Sequence, residues 1–88
     1  MYFVYVLKSL KDSKLYIGMT NNVEARFIRH NQGKVPSTKY RRPFQLLHTE
    51  KYLTREEARK RERYLKSGPG HKELSKLLAQ RRVPTMAG

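Results

Sequence analysis

The sequence predicts an α+β domain in which a three-stranded, mainly antiparallel sheet is flanked by helices, in the order β-β-α-β-α-α. Three observations carry this. Tyr2-Phe3-Val4-Tyr5-Val6-Leu7 concentrates aromatic and β-branched residues in one short run. Later segments repeat apolar residues at helical spacing behind capping residues. The 88 residues suffice for one core, because a chain of this size buries only roughly 60–65% of its unfolded surface.

Residues 2–8 read as a strand buried on both faces, since apolar residues do not alternate cleanly with polar ones. Leu15 to Gly18 is its partner, joined through the polar connection Ser9–Lys14 with Asp12 and Ser13 at its turn. Asn21, with Glu24 three residues on, resembles a capping box and opens a helix on which Val23 and Phe27 share a face. That helix runs to about Gln32, and Gly33 ends it. A basic, Pro-containing loop leads to a third strand, Phe44 to Tyr52. Thr54 and Glu57 form a capping box for a second helix reaching Lys66. Ser67-Gly68-Pro69-Gly70 interrupts the chain, and Leu74, Leu77 and Leu78 mark a third helix up to Arg82. A single domain over residues 1–82 and a frayed tail over 83–88 follow.

Twenty Lys and Arg against seven Asp and Glu give a net charge of +13. So much positive charge repels itself in a compact fold unless an anion offsets it, and nucleic acid is the natural partner. A membrane is not expected. The apolar run at residues 2–7 is far below the roughly 20 residues needed to span a bilayer, and no basic helix carries a broad apolar face. The same run lacks the charged start and cleavage site of a signal peptide, so a cytoplasmic location is expected. With no cysteine, and with His30, His48 and His71 dispersed, no local metal motif of His and Cys exists.

Four groups of residues are able to carry chemistry. Tyr5 and Tyr16 lie on the two strands expected to pair, where their hydroxyls converge if the register allows; strand tyrosines with the phenol at a wet edge are the commoner outcome. Arg26 and His30 are four residues apart on the first helix and share a side, either binding phosphate and relaying a proton or forming a solvated face. Glu62 falls close to the inward stripe of Ala58 and Leu65 on an otherwise basic helix, where a carboxylate requires an arginine or a divalent cation. The loop holding Lys34, Lys39, Tyr40, Arg41 and Arg42, with Ser37 and Thr38, mixes cations and hydroxyls with an aromatic ring, suited to phosphates and an unpaired base or simply to a flexible solvated loop. Gly68 and Gly70 most simply make a turn, and His48 and His71 fit structure or general phosphate contact.

Taken together these residues resemble the GIY-YIG nuclease superfamily, which includes the N-terminal nuclease module of the UvrC repair protein. The second motif stands as Tyr16-Ile17-Gly18 and the first as Phe3-Val4-Tyr5, followed by Arg26, His30 and Glu62 in order. The resemblance spans residues 2–72, and with Leu65-Lys66-Ser67-Gly68 the chain looks most like the small stand-alone, UPF0213-like branch. The first motif lacks its glycine, Met19 stands where repair-type members often carry lysine, and no asparagine that would match the family's follows Glu62. The resemblance implies an endonuclease acting on DNA, at branched, damaged or single-stranded sites, with a place in DNA repair and a protein partner as a source of specificity. Glu62 would hold Mg²⁺ or Mn²⁺, Arg26 would neutralise a phosphate oxygen, one of Tyr5 and Tyr16 would activate water, and His30 would assist. The alternative is a non-catalytic DNA- or RNA-binding module, to which +13 applies equally.

Overall fold

The computed structural model describes residues 1–87, with side chains described through residue 80. The tail expected over 83–88 lies outside the residues described with their side chains. β1 (Tyr2–Ser9) is the central strand of an antiparallel sheet ordered β2-β1-β3, flanked by β2 (Leu15–Thr20) and β3 (Phe44–Tyr52). The order of elements is the expected one, completed by α1 (Val23–Asn31), α2 (Arg55–Lys66) and α3 (Gly68–Ala87).

Unbroken apolar character in β1 reflects a helix layer on each face of the sheet. Val4, Val6 and Ile17 pack with Ala58 and Leu65 of α2 and Leu74 of α3. Tyr5, Leu7 and Phe44 point the other way and pack with Val23 and Phe27 of α1. Successive side chains of one strand therefore enter two different cores. Val4 to Leu7 are all buried.

Local chemistry sets the helix boundaries. The N-cap of α1 is Asn22, not Asn21. Its extended backbone (φ −147°, ψ 96°) lets its side chain accept from the Ala25 N–H at 3.1 Å. The shift of one residue arises because β2 runs on past Gly18, pairing Met19 with Val4 and Thr20 with Phe3. Gly33, at φ +77°, follows the end of α1 in the left-handed conformation that favours glycine. Thr54 caps α2 as expected, accepting from the Glu57 N–H at 3.2 Å while its hydroxyl donates to the Glu57 carboxylate.

The break expected over Ser67–Gly70 narrows to Ser67, and the Gly-Pro-Gly segment belongs to the first turn of the next helix. α3 begins at Gly68, directly after the α2 C-cap Ser67, so Pro69 falls in the first turn, where its missing N–H costs nothing. Gly70 is buried, and a Cβ there would collide with the Tyr64 carbonyl oxygen. Glycine is what allows α3 to start hard against the end of α2.

A polar clamp joins β3 to both helices of that layer. The Glu50 carboxylate accepts from Arg61 at 2.8 and 3.2 Å and from the Tyr52 hydroxyl at 2.7 Å, and it meets His48 Nε2 at 2.8 Å. Arg61 donates onward to Glu73 of α3 at 2.7 Å. Burial alone would raise the Glu50 pKa, but the bonds from Arg61, His48 and Tyr52 outweigh it and hold the carboxyl down at about 2. Among the described residues, no helix is long and apolar enough to cross a membrane.

Candidate active site

The β1–β2 register pairs Tyr5 with Gly18 and Leu7 with Tyr16, so both tyrosines point to the face covered by α1. Their rings lie 6.2 Å apart between centroids. Gly18 makes this possible through space rather than backbone freedom. Its φ is outside the left-handed region, but a Cβ on it would stand 2.5 Å from Tyr5 Oη. The glycine of the second motif thus makes room for the tyrosine of the first. Tyr5 is 1% exposed, whereas Tyr16 is half-buried; the wet-edge placement does not apply to Tyr5.

His30, in the last turn of α1, is fully buried between these rings and the loop that follows. Its Nε2 lies 2.8 Å from Tyr5 Oη and its Nδ1 2.8 Å from Thr38 Oγ1. The Thr38 hydroxyl donates to the Val35 carbonyl at 3.4 Å. With its proton so placed, Thr38 accepts from Nδ1–H, which leaves the Nε2 lone pair to receive the Tyr5 O–H. Burial, with the charge of Arg26 adding to it, lowers the His30 pKa to about 4, so the ring is neutral at pH 7. Tyr16 stacks edge-on to His30 at 4.9 Å and Phe44 does so at 5.8 Å. Burial pushes the Tyr5 phenol up to about 12, against the opposing pull of Arg26 and with Tyr16 adding to the rise.

Arg26 lies one turn before His30 on α1, where its charge acts on both Tyr5 and His30. Its Nε is buried without a hydrogen-bond partner, and among the described residues no carboxylate pairs with its guanidinium. Leaving a buried charge-bearing donor unpaired is costly, and an anionic ligand would relieve it.

Glu62 comes from the opposite helix layer. It is half-buried beside Ala58 and Leu65, as its position on the stripe implies, with its side chain 17% exposed. Its described partner is Lys66 at 3.3 Å, not an arginine, and the adjacent Arg61 pairs with Glu50 and Glu73. The structure therefore gathers Tyr5, Tyr16, Arg26 and His30 on one face, while no described bond joins Glu62 to them. Among the described residues no group of three or more His, Cys, Asp or Glu side chains could hold a metal. A lone carboxylate with an exposed lysine partner still suits Mg²⁺, which commonly takes one or two protein carboxylates and fills its shell with water and phosphate oxygens.

The basic loop is not free. A 3-10 turn at Lys39–Arg41 follows the buried Thr38, and Arg41 is committed to Asp12 at 3.1 Å while lying over the Phe44 ring. Arg42 Nε donates to the Lys39 carbonyl, and its guanidinium covers Gly33. Lys34, Lys39 and Tyr40 remain exposed. His48 serves the Glu50 clamp, and His71 is exposed. The Glu50–Arg61–Glu73 clamp and the bond of Thr38 to His30 are the parts the sequence left unmarked. The even spacing of His48, Glu50 and Tyr52 on one strand face was a usable sign of the clamp, whereas nothing in the sequence tied the loop's Thr38 to His30.

The family profile described as the GIY-YIG catalytic domain matches residues 1–73. A UPF0213 protein of Staphylococcus epidermidis is 46% identical over 67 residues, covering 75% of this chain and 80% of its own. A second, from Staphylococcus saprophyticus, is 40% identical over 80 residues, covering 90% and 95%. The solution NMR structure of a UPF0213 protein from Bacillus halodurans aligns with a TM-score of 0.53 at 35% identity, covering 88% of this chain and 85% of that one.

Proposed function

The chain belongs to the GIY-YIG family, whose domain is that of nucleases acting on nucleic acid, and on that premise we propose that it is a metal-dependent endonuclease hydrolysing phosphodiester bonds of DNA. The observation that carries the proposal is the unneutralised Arg26 beside a pair of tyrosines, one of which is locked to a neutral histidine. A cation held in place without a carboxylate partner is poised for a phosphate oxygen, where charge grows in the transition state.

The two tyrosines take different roles. Tyr5, with its hydroxyl bonded to His30 and its ring enclosed, is a positioning residue that fixes the imidazole and the floor of the site. Tyr16, which retains exposure, would orient the attacking water and, once its own phenol has lost its proton to solvent, take the water's proton as the phenolate. His30 holds Tyr5 on one side and Thr38 on the other, so it transmits the position of α1 and of the basic loop to the tyrosine pair. Glu62 would hold Mg²⁺ or Mn²⁺, and when bound the ion supplies Lewis-acid stabilisation of charge on the phosphate and the departing oxygen. Exposed Lys34 and Lys39 add sequence-independent attraction to the phosphate backbone.

A non-catalytic nucleic-acid-binding module is the second reading, favoured by the pairing of Glu62 with Lys66. Activity separates the two. Purified protein incubated with Mg²⁺ or Mn²⁺ should cleave at least one of supercoiled, branched and single-stranded DNA, and EDTA should stop it. Intact substrates across a wide salt range, with binding retained, would establish the module instead.

A further inference from the structure

Tyr40 is 77% exposed, yet the turn that carries it is bonded to the rest of the fold through its backbone carbonyls. The Ser9 hydroxyl donates to the Arg41 carbonyl at 2.6 Å, Lys11 Nζ donates to the Tyr40 carbonyl at 3.1 Å, and Arg41 pairs with Asp12 at 3.1 Å. These bonds fasten the turn to the β1–β2 hairpin. On its other side Arg42 Nε donates back to the Lys39 carbonyl at 2.8 Å. Thr38, immediately before the turn, is buried and holds His30. The backbone is thus fixed while the ring projects outward with a large part of its surface uncovered.

The surroundings of the ring are cationic. Lys39 Nζ lies 5.5 Å from its centroid. A hollow of about 350 Å³ beside it is lined by Lys11, Asn31, Lys39, Tyr40, Arg42 and Pro43, with no carboxylate among them. An aromatic face that is rigid in its backbone and flanked by lysine and arginine matches the way unpaired nucleotides are held, the base stacking on the ring and the adjoining phosphates meeting the cations. Stacked bases of an intact duplex offer no such face.

We propose that Tyr40 is a stacking platform for an unpaired DNA base, with Lys11, Lys39 and Arg42 taking the adjoining phosphates, so that the protein selects DNA carrying a single-stranded segment. The inference rests on the nuclease proposal for its choice of DNA as partner and adds the substrate class. Thr38, which opens the turn carrying the platform, is bonded to His30 of the candidate site.

The test is equilibrium binding of the full chain, in EDTA so that nothing is cut, to fluorescently labelled oligo-dT, a blunt duplex and a duplex with a single-stranded tail. Tyr40→Ala should weaken binding of oligo-dT and of the tailed duplex about 5- to 150-fold, the range that loss of one base–aromatic stack corresponds to. Affinity for the blunt duplex should change less than about 2-fold, and Tyr40→Phe should behave as the wild type. The salt dependence should stay unchanged in Tyr40→Ala and become shallower in Lys11→Ala, because only the lysine releases counterions. DNA binding that is indifferent to Tyr40→Ala, or weakened equally for blunt and tailed DNA, would overturn the platform and leave the nuclease proposal standing. Failure of the wild type to bind any of the three DNAs would overturn both.

Discussion

Replacing Gly18 with alanine puts a methyl carbon 2.5 Å from Tyr5 Oη and 2.6 Å from Tyr5 Cζ, where ordinary contact begins near 3.4 Å. The ring must move by about an ångström to clear it, a shift large enough to break the 2.8 Å bond to His30 Nε2. Tyr5 cannot swing outward freely, because it is 1% exposed and packed with Leu7 and Phe44. Overpacking of this kind costs roughly 1–3 kcal/mol, and stranding a buried hydroxyl and imidazole costs roughly 1–3 kcal/mol more. Gly18→Ala should therefore lose roughly 2–6 kcal/mol in urea denaturation, with a fall in Tm of roughly 10 °C or more. His30 should respond as well. Its pKa of about 4 depends on enclosure against Tyr5, and loosening that contact should raise its NMR titration midpoint toward 6.5. A loss below about 0.5 kcal/mol with an unchanged His30 titration would refute the role assigned to the glycine.

Acid should destabilise the protein in two stages. Neutral His30 titrates near 4 when folded and near 6.5 when unfolded, so the unfolded chain binds the proton first; stability is unaffected above pH 6.5 and declines between 6.5 and 4 by roughly 3 kcal/mol, and His30→Gln should flatten that limb of the stability–pH curve. Glu50 has the same sign at lower pH, with a folded pKa of about 2 against 4.5, so the stability its charged form contributes is present above pH 4.5 and lost as pH falls toward 2. Glu50→Gln, which leaves Arg61 with Glu73 as its carboxylate partner, should cost roughly 2 kcal/mol at pH 7 by denaturant titration, and a neutral result would mean the clamp adds nothing. Gly70→Ala should destabilise by more than about 2 kcal/mol in the same assay, since the methyl meets the Tyr64 carbonyl oxygen in backbone rather than a side chain able to rotate away.

Patterns that are local in sequence were legible, and convergence across the fold was less so. The run at residues 2–7 disclosed a strand with two buried faces because period-2 alternation was missing, and Thr54 with Glu57 disclosed the start of α2 because both halves of a capping box lie within one turn. Asn21 and Asn22 are chemically alike, so only the extra length of β2 decides which one caps α1. Gly68 and Gly70 read as breakers, since sequence does not show that Gly70 is required by the Tyr64 carbonyl packed against it.

Within the site, Tyr5, Tyr16, Arg26 and His30 were legible as chemistry, but not as a buried phenol and a half-buried one, which depends on α1 lying over β1. Thr38 was legible as a loop hydroxyl able to meet phosphate but not as the partner of His30, because that contact spans a loop with no periodicity. Glu62 was legible as half-buried, yet its arginine neighbour Arg61 turns to Glu50 on another strand, a pairing that only the tertiary arrangement fixes.

The most direct measurement is single-turnover cleavage of labelled DNA in Mg²⁺ or Mn²⁺ by the wild type, Arg26→Ala and Glu62→Ala, each matched by its CD spectrum. If Arg26 meets the phosphate and Glu62 holds the metal, the wild type cuts and each variant loses at least about 100-fold in rate while its spectrum is preserved. Folded variants that cut at the wild-type rate would contradict the assignment, and a wild type that binds DNA but cuts none would contradict the nuclease itself.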